Sequence, residues 1–149
     1  MTDLERLIAI EDIRALQSHY VRCADLKDWQ ALAGLFLPDA AFTPYDVEGK
    51  PQVVMTGRDE IAKRVSTSVG KGTALHHLLS YEIEVESPTR AHGIWAVEDW
   101  IDRSNDDDPT APFKTMHGCG HYHTDYEKVD GRWFIAGQKL HRVKLEFTY

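Results

Sequence analysis

Hydrophobic residues in the first part of the chain recur at three- and four-residue steps, which is typical of helices with one apolar face. The first such face, with a slip near Ile10, leads up to Asp25 and consists of Leu4, Leu7, Ile8, Ile13, Leu16, Tyr20 and Ala24. Asp28 is placed to cap a second helix that Pro38 ends, with an apolar stripe of Trp29, Leu32, Leu35 and Phe36. A third helix is predicted in TGRDEIAKRV, where Thr56 and Asp59 resemble a capping box and glycines follow at 70 and 72.

The second half of the chain changes to the alternating pattern of strands. Two short strands are expected at 40–45 and 52–55, and from His76 onward the period becomes two, since Tyr81, Ile83 and Val85 alternate with glutamates. After a turn at Ser87-Pro88-Thr89, long strands are predicted at 90–102, 114–129 and 132–147. Asp130-Gly131 predicts a tight hairpin between the last two. The acidic loop SNDDDPTAP is expected to be exposed and mobile.

This order of elements indicates the α+β class. Helices at one end and a meander of strands at the other favour a single domain over residues 1–149. Glycines inside the long strands, at 118, 120 and 137, fit bends or bulges that let a sheet curl. We therefore expect a cone-like, curved antiparallel or mixed β-sheet wrapped around the N-terminal helices. Such a cone encloses one apolar pocket, the usual place for a small ligand.

Composition narrows the class of protein. A chain of 149 residues with 42% hydrophobic residues can build one sizeable core. The formal charge of −7 argues against nucleic acid or an anionic membrane as a partner, because phosphate binding needs a basic surface. No apolar run approaches the roughly 18 residues of a membrane span, and the charged start MTDLERL lacks a secretory apolar region. A cytoplasmic location is the expectation.

Few residues carry recognisable chemistry by themselves. Asp25 ends the first helix, where it would either cap a turn or point its charge at whatever the apolar face covers. An alternating set on one strand would share a face and could hold zinc, although a bulge at Gly118 or Gly120 would scatter it: His117, Cys119, His121 and His123. We expect an outer face for this set. No metal or cofactor motif is visible, so neither is expected.

Five segments in order resemble the SnoaL-like branch of the nuclear transport factor 2-like (NTF2-like) superfamily. They are LERLIAIEDIRAL, ADLKDW, LFLPDA, HHLLSYEIEV and KVDGRWFIAGQKL. That branch contains scytalone dehydratase, hexachlorocyclohexane dehydrochlorinase and bile-acid 7α-dehydratase, and the resemblance covers nearly the whole chain. It implies an aspartate–histidine acid–base pair in the pocket, with tyrosines near the substrate oxygen. It also implies a homo-oligomer, a dimer or trimer.

The resemblance assigns the catalytic pair residue by residue. Asp25 matches the family aspartate, and His76 matches the histidine by its distance from Ile83 and Val85. His77 stays possible if a bulge shifts the register. Tyr20 matches a tyrosine five residues before the aspartate.

Further positions are implied for substrate binding. Tyr45 lies near the position of a second substrate-binding tyrosine, and Tyr122 lies near that of a family asparagine. A second family histidine has no counterpart here, and its neighbourhood holds Trp95, Glu98 and Asp99. Trp95 would suit a flat ligand if it lined the pocket.

These residue types predict a cofactor-independent lyase that performs dehydratase-like β-elimination on a small cyclic or polycyclic hydroxy or keto compound. His76 would remove the proton, Asp25 would orient the ring, and Tyr20 or Tyr45 would donate to the substrate oxygen. Two alternatives remain open. One is an isomerase of the ketosteroid isomerase or polyketide cyclase kind, and the other is a noncatalytic small-molecule-binding or association module.

Overall fold

The computed structural model describes all residues from 1 to 149. The helices are α1 (Asp3–Asp25), α2 (Trp29–Ala33) and α3 (Arg58–Val69). The strands are β1 (Phe36–Tyr45), β2 (Met55–Thr56), β3 (Thr73–Ser87), β4 (Arg90–Asp102), β5 (Thr115–Val129) and β6 (Arg132–Thr148). The predicted α+β class and the order of helices and strands are confirmed.

Helix α1 begins at a capping box, in which the Thr2 side chain accepts from Glu5 N and the Glu5 carboxylate accepts from Thr2 N. Its inner face is buried from Ala9 to Ala24. The first two turns differ from the prediction, because Leu4, Leu7 and Ile8 are exposed. The helix starts before the point at which the sheet can cover it.

The second helix is shorter than predicted. α2 ends at Ala33, and Leu35 and Phe36 lead instead into β1, where the Leu35 carbonyl accepts from Ile135 N at 2.9 Å. Apolar residues at this spacing suit a helix face or a buried strand start equally well. Pro38 therefore lies within β1, at the interruption of its pairing with β6.

The start of the third helix was also predicted incorrectly. Gly57 is the N-cap of α3, with φ +89°, and no side chain caps the helix. Thr56 donates its backbone N–H to Glu60 Oε2 at 2.9 Å instead. The helix ends at Val69, before Gly70, as predicted.

One six-stranded sheet has the order β2-β1-β6-β5-β4-β3. The strands from β3 to β6 form an antiparallel meander, while β1 adds to β6 in parallel, so the sheet is mixed and stays open at β2 and β3. Register shifts beside Gly120 and Gly137 leave Val143 and Ala136 as extra residues on β6. Bulges therefore occur where two of the three glycines predicted them.

Two connections join the last three strands of the meander. The β5–β6 hairpin turns through Asp130 and Gly131, which both have positive φ, as predicted. The acidic β4–β5 connection is largely exposed, as predicted, except that Asp106 has a fully shielded side chain, which accepts from Arg103 Nε at 3.0 Å and from Arg103 Nη2 at 2.7 Å. Arg103 also donates to the last carbonyls of α3, those of Thr67 and Ser68.

The main core consists of 24 buried apolar residues between the helices and the concave face of the sheet. A second group of five, around Phe113 and Met116, lies beside the end of α3. Between them the sheet is left uncovered on its concave side, which creates a cavity. None of the helices is long and apolar enough to cross a membrane.

Candidate active site

A cavity of about 330 Å³ opens between α3 and the concave face of the sheet. Its walls are mostly apolar, with the side chains of Phe42, Val53, Met55, Val65, Val69, Ile101, Met116 and Leu140. Its polar residues include His76, Asp99, Arg142, Tyr20 and Tyr122, together with Arg64, Thr67 and Ser68 from α3. The predicted apolar pocket thus exists, and it carries a defined polar group.

Asp25 and His76 meet across 51 residues of sequence. Asp25 is the last residue of α1, and His76 lies on the inward face of β3, between the inward-facing Ala74 and Leu78. Asp25 Oδ1 is 2.6 Å from His76 Nδ1, and the same carboxylate accepts from His76 N at 3.1 Å. The carboxylate therefore holds both the backbone and the ring of His76, and it makes Nδ1 the protonated nitrogen of the neutral ring.

A second acidic residue faces the other side of the histidine ring. Asp99 Oδ2 is 4.0 Å from His76 Nε2, and Asp99 is almost fully buried on β4. Both oxygens of Asp99 accept from Arg142, at 2.5 Å for Nη1 to Oδ1 and 3.0 Å for Nη2 to Oδ2. Burial lowers the pKa of the Arg142 guanidinium, but the hydrogen bonds and charge of Asp99 outweigh burial and raise the pKa overall.

Glycines on β5 leave room for this ion pair. A Cβ at Gly118 would lie 2.4 Å from Arg142 Nη1, and a Cβ at Gly120 would lie 2.1 Å from the His141 carbonyl oxygen. Gly120 is therefore closed to any side chain unless the β6 backbone moves, and a side chain at Gly118 would displace the Arg142 guanidinium from its place beside Asp99. The bulge at Ala136 shifts the inward positions of β6 from Trp133 and Ile135 to Gln138, Leu140 and Arg142.

Two tyrosines complete the polar end of the cavity. Tyr20 and Tyr122 are buried, and their rings meet edge to face with centroids 6.0 Å apart. Burial raises the pKa of the Tyr20 phenol well above its usual range. Burial likewise raises the pKa of Tyr122. Both phenols keep their protons and can donate a hydrogen bond.

Three residues predicted for substrate binding are absent from the cavity lining. Tyr45 lies beyond the cavity end of β1 and stacks on His141, with ring centroids 4.6 Å apart. His77 points away from His76 because neighbouring strand residues alternate, and its ring meets Trp100 edge to face. Trp95 is buried under α1, where its indole donates to the Tyr126 hydroxyl at 2.9 Å. Of the four predicted contacts, only Tyr122 lines the cavity.

The alternating set on β5 faces away from the cavity, as predicted. Gly118, Gly120 and Tyr122 are the buried inward positions, and the histidines lie between them on the outer face. His117 there contacts Glu98, with Nε2 2.8 Å from Oε2. No group of three or more His, Cys, Asp or Glu side chains has an arrangement that could hold a metal ion.

The Asp99–Arg142 pair was not predicted from the sequence, although Asp99 leaves a trace there. Asp99 falls on the inward side of β4, in step with Trp95, Val97 and Ile101, so its charge breaks an apolar alternation. Arg142 is in step with Leu140 but out of step with Trp133 and Ile135, because the bulge at Ala136 lies between them. An inward aspartate is therefore readable from the sequence, whereas its partner is not.

The fold and site define a small α+β protein whose open cone holds an aspartate-oriented histidine. The chain matches the SnoaL-like domain over residues 5–139, and it belongs to that family, within the NTF2-like superfamily.

Solved structures share this fold. A candidate scytalone dehydratase from Novosphingobium aromaticivorans DSM 12444 superposes with a TM-score of 0.81 at 22% identity, over 99% of this chain and 93% of that one. A hexachlorocyclohexane dehydrochlorinase, LinA-type3 from Novosphingobium barchaimii LL02, gives a TM-score of 0.76 at 19% identity, over 98% and 94%. A protein with a cystatin-like fold from Caulobacter vibrioides gives 0.71 at 16% identity, over 91% and 89%. At these identities the likeness establishes the fold.

Proposed function

We propose that this protein is a cofactor-independent lyase that removes water from a small cyclic or polycyclic hydroxy or keto compound. The observation that carries the proposal is the 2.6 Å contact between Asp25 Oδ1 and His76 Nδ1, on a histidine that lines a largely apolar cavity. With Nδ1 engaged, Nε2 is the nitrogen left to accept a proton. The names of the dehydratase and the dehydrochlorinase among the similar structures agree with elimination chemistry.

The proposed reaction is a β-elimination. His76 Nε2 takes a proton from carbon adjacent to a carbonyl, and the electron pair of that C–H bond forms the new C=C bond. The C–O bond on the neighbouring carbon breaks, and the departing hydroxyl takes up the proton now held by the His76 imidazolium to leave as water, which regenerates the base. Asp25 stabilises the imidazolium as it forms, and the protonated Tyr20 donates to the carbonyl or departing oxygen.

The competing functions share part of this machinery. An isomerase would use the same proton removal and return the proton to a different carbon. A noncatalytic module would not need the carboxylate behind the ring, and an association module would not need an open cavity. The coupled pair beside an unfilled cavity therefore favours an enzyme over a packing module.

The partner is proposed to be a small molecule, and the assembly a homo-oligomer of two or three copies. The half-buried Trp100 and His117 stack on the outer face of the sheet, with ring centroids 4.7 Å apart, and the neighbouring Leu75 is 44% exposed. This apolar and aromatic surface lies on the side of the sheet that the helices do not cover.

The test is a panel of cyclic β-hydroxyketones, assayed by the ultraviolet absorbance of the enone product. General-base catalysis typically contributes about 100- to 10,000-fold, so His76→Ala and Asp25→Asn should lose activity by that factor. Asp28→Asn is the matched control, because Asp28 caps α2 and is not part of the cavity. A loss of less than tenfold in both dyad variants would refute the mechanism. Conversion of β,γ-unsaturated ketones without any dehydration would favour the isomerase.

A further inference from the structure

The carboxylate of Asp99 has acceptor capacity that the protein does not use. Asp99 is almost fully buried on β4, and each of its oxygens accepts one hydrogen bond from Arg142 and none from any other group. An ionised carboxylate has about four acceptor positions, two on each oxygen, so each oxygen keeps one of them. Because Asp99 lines the cavity, a bound ligand is the group that can fill such a position.

The distance between Asp99 and His76 defines where a ligand atom would lie. Asp99 Oδ2 is 4.0 Å from His76 Nε2, which is too long for a direct hydrogen bond. One oxygen atom at ordinary hydrogen-bond distances, about 2.7 Å from Oδ2 and about 2.9 Å from Nε2, fits against both atoms at once. Nδ1 is already engaged by Asp25, so Nε2 is the ring nitrogen left for a ligand. The two side chains therefore form a place for a single hydroxyl.

A hydroxyl in this place has one proton and two acceptors. An ionised carboxylate is a stronger acceptor than a neutral imidazole, and Asp99 keeps its charge as the partner of Arg142. The hydroxyl proton therefore goes to Asp99, and a lone pair of the hydroxyl oxygen turns toward the His76 side. This direction matters for catalysis, because a hydroxyl that donated to Nε2 would occupy the lone pair that the base needs.

We propose that Asp99 accepts a hydrogen bond from the departing hydroxyl of the substrate and thereby selects hydroxyl over halide as the leaving group. Once Nε2 has taken the C–H proton, the imidazolium donates that proton to the hydroxyl oxygen as the C–O bond breaks. The water that forms stays bound to Asp99, which remains ionised throughout. A halide has no proton to donate and would place its partial negative charge against the carboxylate. The inference rests on the proposed function and narrows its substrates to alcohols.

The binding test uses two bicyclic probes that differ in one substituent, β-tetralol and β-fluorotetralin. Neither has a carbonyl, so neither has an acidic C–H bond for His76 to attack. Their dissociation constants are measured by titration calorimetry on the wild-type protein. The alcohol should bind about 10-fold or more tightly than the fluoride, because a hydrogen bond to a charged group contributes at least that factor. Equal affinities, or no binding of either probe, would overturn the proposal.

Variants assign the preference to Asp99. Asp99→Asn should bring the two affinities to within about threefold, because a neutral amide is a weaker acceptor than a carboxylate. Since this change leaves the Arg142 charge unpaired, the double variant Asp99→Asn/Arg142→Met repeats the test with neither charge present. Glu98→Gln is the matched control and should keep the wild-type ratio, because Glu98 contacts His117 on the outer face of the sheet. A preference for the alcohol that persists in both Asp99 variants contradicts the proposal.

Turnover provides a readout that a purely structural role of Asp99 would not change. β-Hydroxycyclohexanone and β-fluorocyclohexanone give the same enone, by loss of water and of hydrogen fluoride respectively. The ratio of their kcat/KM values cancels any loss of folded protein or of base strength, and Asp99→Asn should shift it about 10-fold or more toward fluoride. A ratio that Asp99→Asn leaves unchanged would overturn the inference.

The two measurements also separate this inference from the lyase. An alcohol preference that depends on Asp99, in a wild-type protein that dehydrates nothing, would remove the lyase and leave the hydroxyl site intact. Dehydration whose leaving-group ratio does not depend on Asp99 would keep the lyase and reject the inference.

Discussion

His76 lies between two carboxylates that have different surroundings. Asp25 contacts Nδ1 at 2.6 Å and retains some exposure, whereas Asp99 is 4.0 Å from Nε2 and almost fully buried. Arg142 engages both oxygens of Asp99 and compensates its charge. The arginine thereby leaves the Nε2 side of His76 suited to a base.

This interpretation makes the ion pair a stability requirement as well. Arg142→Met should leave Asp99 buried without its partner, and removing one member of such a pair costs about 3–5 kcal/mol. Urea denaturation measures the loss. Arg132→Met on the same strand, whose guanidinium lies over Phe134 at the surface, should cost less than about 1 kcal/mol.

A double variant separates the charge from the packing. If the unpaired charge causes the loss, adding Asp99→Asn to Arg142→Met should recover at least half of the free energy of unfolding that Arg142→Met alone loses. Equal stability of the single and double variants would mean that the arginine contributes mainly through the packing of its stem.

At the scale of elements, the end of α3 and the β4–β5 connection form one wall of the cavity. Arg103 joins them, since it donates to the Thr67 and Ser68 carbonyls and to Asp106. Gly70 packs directly against the guanidinium, with a φ of +57° that favours glycine. Thr67, Ser68 and Pro112 in turn line the cavity. The hydrogen bonds of the buried Arg103 to the end of α3, and not helix propensity, therefore hold this wall of the cavity in place.

Asp106→Asn should weaken this wall and change its response to acid. Hydrogen bonding from the Asp108 N–H is the largest influence that lowers the pKa of Asp106, with Lys71 and Arg103 acting in the same direction. A lowered folded-state pKa gives stability that is present above the unfolded value of about 3.9 and is lost as pH falls through the folded value. At pH 7 the melting temperature should fall more than in Asp107→Asn, whose side chain is 83% exposed.

The pH dependence of the stability difference between the wild type and Asp106→Asn provides a second test. Because protonated Asp106 resembles asparagine, the difference between wild type and Asp106→Asn should narrow as pH falls below 4. A difference that stays constant from pH 7 to pH 2, or an equal effect of Asp107→Asn, would show that Asp106 does not hold the connection.

Elements with a clear period and a clear stop were predictable from the sequence. β4 was predicted at its observed bounds, and the Asp130-Gly131 hairpin was predicted with its turn. α2 was predicted too long because apolar spacing alone does not separate a helix end from a buried strand start. The parallel pairing of β1 with β6 was not predictable either, since alternation reports which face is buried but not which strand lies alongside.

At the scale of the molecule, the site is made of contacts that are distant in sequence. Asp25 and His76 were predicted as a pair through a family resemblance, since helix position alone favoured a cap or solvated turn for Asp25. Asp99 and Arg142 are 43 residues apart, and Arg142 faces inward because the bulge at Ala136 shifts the alternation that Trp133 and Ile135 set. Tyr45 was placed in the pocket by the family resemblance and Trp95 because a tryptophan there would suit a flat ligand, but the curvature of the sheet decides which aromatic residues reach the cavity.

The outer face of the sheet carries the last prediction, which concerns assembly. The protein should sediment at two or three times its 17.0 kDa mass. Leu75→Glu should shift it toward the monomer, because the new charge would be buried beside Trp100 if this face forms the interface. Leu26→Glu, at a position 73% exposed after α1, is the matched control and should leave the mass unchanged. A wild-type monomer would refute the assembly, and a multimer that Leu75→Glu leaves intact would place the interface elsewhere.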